Sequence, residues 1–140
     1  PNAKGVFFGL NLTHSRGDMF RAIIEGIAYG TRHVTDTFCE LGQPASTLFA
    51  VGGGTKNSLW LQATSDITGI DQEIREKTIG ASYGNAFIAA LAIGEVKKED
   101  IYTWNPIIKK IIAKPNPIYN SIYDIFIELY ENTKKLMSKI

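Results

Sequence analysis

The stretch that most restricts what this chain can fold into is Val51-Gly52-Gly53-Gly54-Thr55-Lys56-Asn57-Ser58-Leu59-Trp60. It follows an apolar run, Leu48-Phe49-Ala50-Val51, and precedes a segment with helical apolar spacing. That order predicts a buried strand passing into a helix through three glycines. Glycine reaches positive φ and has no Cβ, so such a backbone can turn sharply and lie close to a ligand. The helix that follows presents free N–H groups and the positive end of its dipole, a combination that favours phosphate. Taken alone, the stretch fits a nucleotide site and also fits a plain strand-to-helix turn.

Upstream, Gly5-Val6-Phe7-Phe8-Gly9-Leu10 is aromatic and β-prone, a strand or an extended arm, and residues 11–16 read as a polar turn. Ser15-x-x-Asp18 has the spacing of a capping box in its shorter acidic form. It opens a long helix whose apolar stripe is expected at Phe20, Ile23, Ile24, Ile27, Thr31, Val34, Phe38 and Leu41, with Gly42 and Pro44 ending it. Gly26 and Gly30 lie inside that helix, where each costs about 1 kcal/mol against alanine. They suggest either a close neighbour or a tolerated cost.

Beyond the triple glycine, Asn57 or Ser58 can cap the next helix, with Trp60, Ala63, Thr64 and Ile67 as its inner stripe and Gly69 at its end. Residues 71–75 are short and polar and read as an edge strand. Gly80-Ala81-Ser82-Tyr83-Gly84 opens a helix rich in small residues that Gly94 closes, a second glycine turn of the same kind. Residues 107–113 could form a strand, although paired apolar and basic residues blur the alternation. Asn116-Pro117 predicts an N-cap and first helical residue. The last helix is expected to bury Ile118, Ile122, Ile125, Phe126, Leu129, Thr133, Leu136 and Ile140. Helices alternating with few strands predict an α/β arrangement whose sheet looks incomplete. The start at Pro1-Asn2, without methionine, suggests a piece of a longer chain.

At 140 residues, 44% apolar and 21% charged, the composition is that of one ordinary globular domain. No apolar run reaches bilayer length and no signal peptide opens the chain, so no membrane partner and a cytoplasmic location are expected. Fifteen basic and fourteen acidic residues, interspersed, argue against a nucleic-acid partner. The one cysteine, Cys39, reads as a buried or half-buried inert thiol. His14, in a turn, and His33, within the long helix, are too far apart with Cys39 to suggest a metal set. No Walker-type Gly-Lys-Ser/Thr follows the glycines. A dinucleotide-binding dehydrogenase would use Gly52 and Gly54 but would place its third glycine at Asn57 and its acid at Glu76.

Several motifs together resemble the FGGY family of carbohydrate kinases, in its xylulokinase-like branch. Gly5-x-Phe7-x-Gly9-Leu10, seven residues, then Asp18-Met19-x-x-Ala22-Ile23-Ile24-Glu25-Gly26 looks like that family's C-terminal signature. Val51-Gly52-Gly53-Gly54 with Asn57-Ser58, Trp60, Gln62 and Asp66 is similar to its adenosine-binding segment. Ala81-x-x-Gly84-x-Ala86 resembles the next helix start, and Lys114-Pro115-Asn116-Pro117 suits the closing helix. The resemblance implies that residues 1–140 form the C-terminal part of the second domain of an actin/hexokinase-like (ribonuclease H-like) ATPase fold. It implies an ATP-dependent kinase acting on a ketopentose or related sugar or polyol.

By the same resemblance, Gly52, Gly53, Gly54, Asn57, Ser58, Ala81 and Gly84 bind the nucleotide. A side chain added at Gly54 is expected to collide with it. Asp18 and Glu25 are structural. The magnesium ligands, the base and most sugar contacts are expected upstream, so the segment alone is expected to be inactive. ATP or ADP and the sugar are the implied partners, and a homodimer is an expected assembly. A non-catalytic regulatory domain that keeps the kinase fold stands as the alternative of a different class.

Overall fold

The structure, a computed structural model, describes residues 3–139. The expected Pro1-Asn2 start and Ile140 lie outside the described residues. Ser15 caps helix α1 (Arg16–Glu40), and the capping box is complete: Ser15 Oγ accepts from Asp18 N while the Asp18 carboxylate accepts from Ser15 N. Strand β1 (Leu48–Ala50) leads through the glycines into α2 (Ser58–Thr68), which Asn57 caps and Gly69 closes in a left-handed conformation. Strand β2 (Gln72–Arg75), α3 (Ala81–Ala92), the single turn α4 (Ile101–Trp104), β3 (Ile107–Ile111) and α5 (Ile118–Met137) follow. At the start of α5, Asn116 Oδ1 accepts from Ile118 N, as an N-cap would, with Pro117 between them.

The sheet order is β1-β2-β3, with β1 parallel and β3 antiparallel to β2. Thus β2 is central and not the edge strand its polarity suggests. Its polar residues are all provided for. Gln72 is buried and its amide donates to Leu61 O at 2.5 Å and to Ser65 Oγ at 2.9 Å. On the opposite face Glu73 pairs with Arg75 at 3.2 Å and with Lys110 at 3.0 Å. A polar strand can hold the middle of a sheet when each polar group finds a partner.

Helix α2 lies between the sheet and α1. Its Leu61 meets Ile74, Ile111 and Ala50 on the sheet side. Its Ile67 meets Ala28 and Tyr29 of α1 on the other, where Tyr119, Tyr123 and Phe126 of α5 close the cluster. Small residues are almost wholly buried on both sides of α2: Ala28 and Ala63, and Ser65, whose hydroxyl faces the sheet at Gln72 and Ile111. The Tyr29 hydroxyl is buried with no hydrogen-bond partner among the described residues, and burial pushes its pKa well above the ordinary tyrosine value.

Two helix faces depart from expectation. On α1 the buried residues are Ile24, Ala28, Tyr29 and Thr35, while Phe20, Ile23, Ile27, Val34 and Phe38 are exposed. On α5 the aromatic side packs inward and Ile118, Ile122, Ile125 and Leu136 face out. Apolar spacing identifies residues that prefer to be dry, and each helix carries more of them than the neighbours present here can cover. Trp60, expected in the inner stripe of α2, is half-buried, and Leu61 takes the core position. Cys39, expected buried or half-buried, is exposed on the last turn of α1. Apart from chain neighbours and the backbone of α1 itself, no atom of the described residues lies within 4 Å of a Cβ built on Gly26 or Gly30, so the close neighbour they suggested is not among them.

Candidate nucleotide site

The chain leaves β1 through Gly52, whose φ of 78° and ψ of −164° belong to glycine. Residues 53–56 make one tight turn. Thr55 Oγ1 donates to Gly52 O at 2.8 Å, and Asn57 N donates to Gly54 O at 3.0 Å. Asn57 Oδ1 then accepts from Trp60 N at 3.1 Å. Of the two cap candidates Asn57 is therefore the cap, and Ser58 is the exposed first residue of α2. The cap occupies the oxygen of the Asn57 amide and leaves its NH2 end without a partner among the described residues.

The second turn shares the positive-φ glycine but enters its helix directly, with no side-chain cap. Gly80 has φ of 80°, and its carbonyl accepts from Tyr83 N at 3.1 Å and Gly84 N at 3.2 Å as α3 begins. Ala81 and Gly84 are exposed on the first turn of that helix. One hydrogen bond joins the two turns: Gly52 N donates to Thr78 O at 2.8 Å. That bond ties Gly52 to the segment that leads into Gly80 and Ala81.

Space at the glycines is uneven. A Cβ at Gly53 or Gly84 would meet nothing within 4 Å, so the backbone there is open to a ligand. A Cβ at Gly54 would lie 3.4 Å from Trp60 Cζ3, so a side chain at Gly54 first meets the Trp60 ring. The turns form an open wall. Two clefts of about 310 and 290 Å³ lie elsewhere, one beside Arg32, Asp66 and Asn116, the other beside Phe7 to Leu10 against Met19 and Glu25.

Motif reading missed the segment that braces the second turn. Asn105 binds Lys77 through both ends of its amide, Tyr83 OH donates to Trp104 O at 3.0 Å, and the Trp104 ring packs on Tyr83 and Phe87. The one local hint was the Asn105-Pro106 dipeptide, a turn signal with no indication of its partner. Among the described residues no group of three or more His, Cys, Asp or Glu converges.

The model for the C-terminal domain of the FGGY family of carbohydrate kinases matches residues 1–93, which include both glycine turns. The chain belongs to the FGGY family. A xylulose kinase of Staphylococcus epidermidis is 28% identical over 141 residues, covering 98% of this chain and 28% of that protein. A ribulokinase of Bacillus licheniformis is 32% identical over 138 residues, covering 94% of the chain and 24% of that protein. The crystal structure of a xylulose kinase from Rhodospirillum rubrum superposes with a TM-score of 0.83 at 28% identity, over 98% of this chain and 29% of that one. The α/β fold is accordingly that of FGGY sugar kinases, part of an actin/hexokinase-like ATPase domain. The chain spans about a quarter of the length of these FGGY relatives.

Proposed function

We propose that the chain supplies one wall of the ATP site in a cytoplasmic sugar kinase that phosphorylates a ketopentose or a related sugar or polyol. The observation that carries this reading is the pair of glycine turns joined by the Gly52–Thr78 hydrogen bond, with open space over Gly53 and Gly84. In it, the bare backbone of Gly52, Gly53 and Gly54 lies against the adenosine and α-phosphate, where a side chain would intrude. The free NH2 end of Asn57, with Ser58 beside it, offers hydrogen bonds to adenine or ribose. Ala81 and Gly84 line the same surface.

Phosphoryl transfer depends on in-line positioning, charge neutralisation by magnesium and a base that orients the acceptor hydroxyl. The chain's own part is to hold and orient the nucleotide. The metal ligands, the base and most sugar contacts belong to the remainder of such a kinase. Hence the 140-residue chain alone is expected to show no ATP-dependent phosphorylation of ketopentoses, polyols or deoxysugars, and turnover of any of them by the purified chain would overturn this.

The direct test of the wall is Gly53→Val in the kinase that contains the chain. Gly53 is the better probe than Gly54, because a Cβ there has nothing within 4 Å whereas one at Gly54 meets the Trp60 ring. The KM for ATP is expected to rise about tenfold or more, the loss of roughly one good contact region, with the KM for the sugar unchanged. An unchanged KM for ATP would remove these turns from the nucleotide site.

A further inference from the structure

Strand β2 ends at Arg75, so residues 76–80 have no ladder of their own to hold them. What holds them is the segment between α4 and β3. Asn105 Oδ1 accepts from Lys77 N at 2.8 Å and Asn105 Nδ2 donates to Lys77 O at 2.8 Å. A backbone N–H needs an acceptor and a backbone C=O needs a donor, so the amide can bind Lys77 only in this orientation. One side chain thus replaces a rung of sheet. Glu76 N donates to Pro106 O at 2.9 Å and Arg75 Nη1 to Asn105 O at 3.1 Å, which keeps Asn105 itself in place. The residue next to Lys77 is Thr78, whose carbonyl receives the Gly52 N–H that joins the two glycine turns. A continuous hydrogen-bonded path therefore runs from Asn105 through residues 77–78 to Gly52.

We propose that Asn105 is a positioning residue for nucleotide binding, which fixes residues 77–80 and so holds the second glycine turn against the first. The proposal rests on reading those turns as the nucleotide wall. Asn105 acts through Lys77 and Thr78 and touches no ligand itself.

The test uses Asn105→Ala, which removes both bonds, and Asn105→Asp, which keeps the acceptor but turns an oxygen toward the Lys77 carbonyl. Amide exchange at Gly52 in the 140-residue chain is expected to quicken about tenfold in both variants, with exchange at Ala28 and Leu61 in the core unchanged. In the kinase that contains the chain, the KM for ATP is expected to rise about three- to tenfold, while kcat and the KM for the sugar stay put.

Exchange that quickens equally through the core would make Asn105 a general support of the fold and overturn the proposal. So would a local quickening at Gly52 with no change in the KM for ATP. In that second case Gly53→Val separates the causes. If it weakens ATP binding, the wall stands and only the role of Asn105 falls. If it also leaves ATP binding untouched, the wall falls with it.

Discussion

The Asp18 carboxylate accepts two hydrogen bonds from Ser15, from its backbone N–H and its hydroxyl, both at 2.7 Å. The backbone bond first, then the side-chain bond, holds its pKa below the ordinary 3.8. A carboxylate whose folded pKa is depressed contributes stability above its unfolded pKa, and that contribution is lost as pH falls through the lower folded value. Amide exchange in the first turn of α1, corrected for the intrinsic rate, is therefore expected to quicken as pH drops below about 4. Asp18→Asn should remove that pH dependence, because the amide does not titrate. At the same scale Gly52 carries the strain argument: its positive φ suits no side chain, whereas Gly53 and Gly84 have ordinary φ and room for a Cβ. These residue-scale features were legible beforehand. Capping boxes, glycine turns and cap asparagines act over three or four residues, so spacing alone reveals them.

At the level of elements, β2 shows what local pattern leaves out. Its polarity suggested an edge, yet Gln72 is buried beneath α2 and bonded to Leu61 O and Ser65 Oγ. Gln72→Glu keeps the size of the side chain but faces the Leu61 carbonyl with an acceptor and brings in a charge. It is expected to lower stability by more than Gln72→Ala, which should cost about 1–3 kcal/mol. Urea unfolding measures both, the expected signature being a lower midpoint at an unchanged slope. The site follows the same division. Each glycine turn was visible as a run of small residues, but the bond from Gly52 to Thr78 and the grip of Asn105 on Lys77 join partners far apart in sequence. Nothing in either stretch names the other.

Over the whole molecule, the 140-residue chain leaves a row of large apolar side chains open along α1, with Phe20 and Val34 each 54% exposed. A contiguous apolar surface of this kind drives association. The purified chain is expected to bind a hydrophobic dye and to self-associate, read by fluorescence and sedimentation. The triple change Phe20→Lys, Ile27→Lys, Val34→Lys should suppress both without lowering the melting temperature, because those residues are outside the packed core. Sequence by itself determined the capped start of α1 and both ends of α2, that three glycines turn a strand into a helix, and, through its conjunction of motifs, the FGGY resemblance. All of these depend on chemistry between near neighbours. Tertiary structure alone decided which face of α1 and α5 is buried, that β2 sits at the centre of the sheet, and that two distant glycine turns are tied by the Gly52–Thr78 bond and braced by Asn105. Those outcomes depend on which surfaces meet, and a hydrophobic or polar residue records a preference for burial or pairing without specifying the partner that satisfies it.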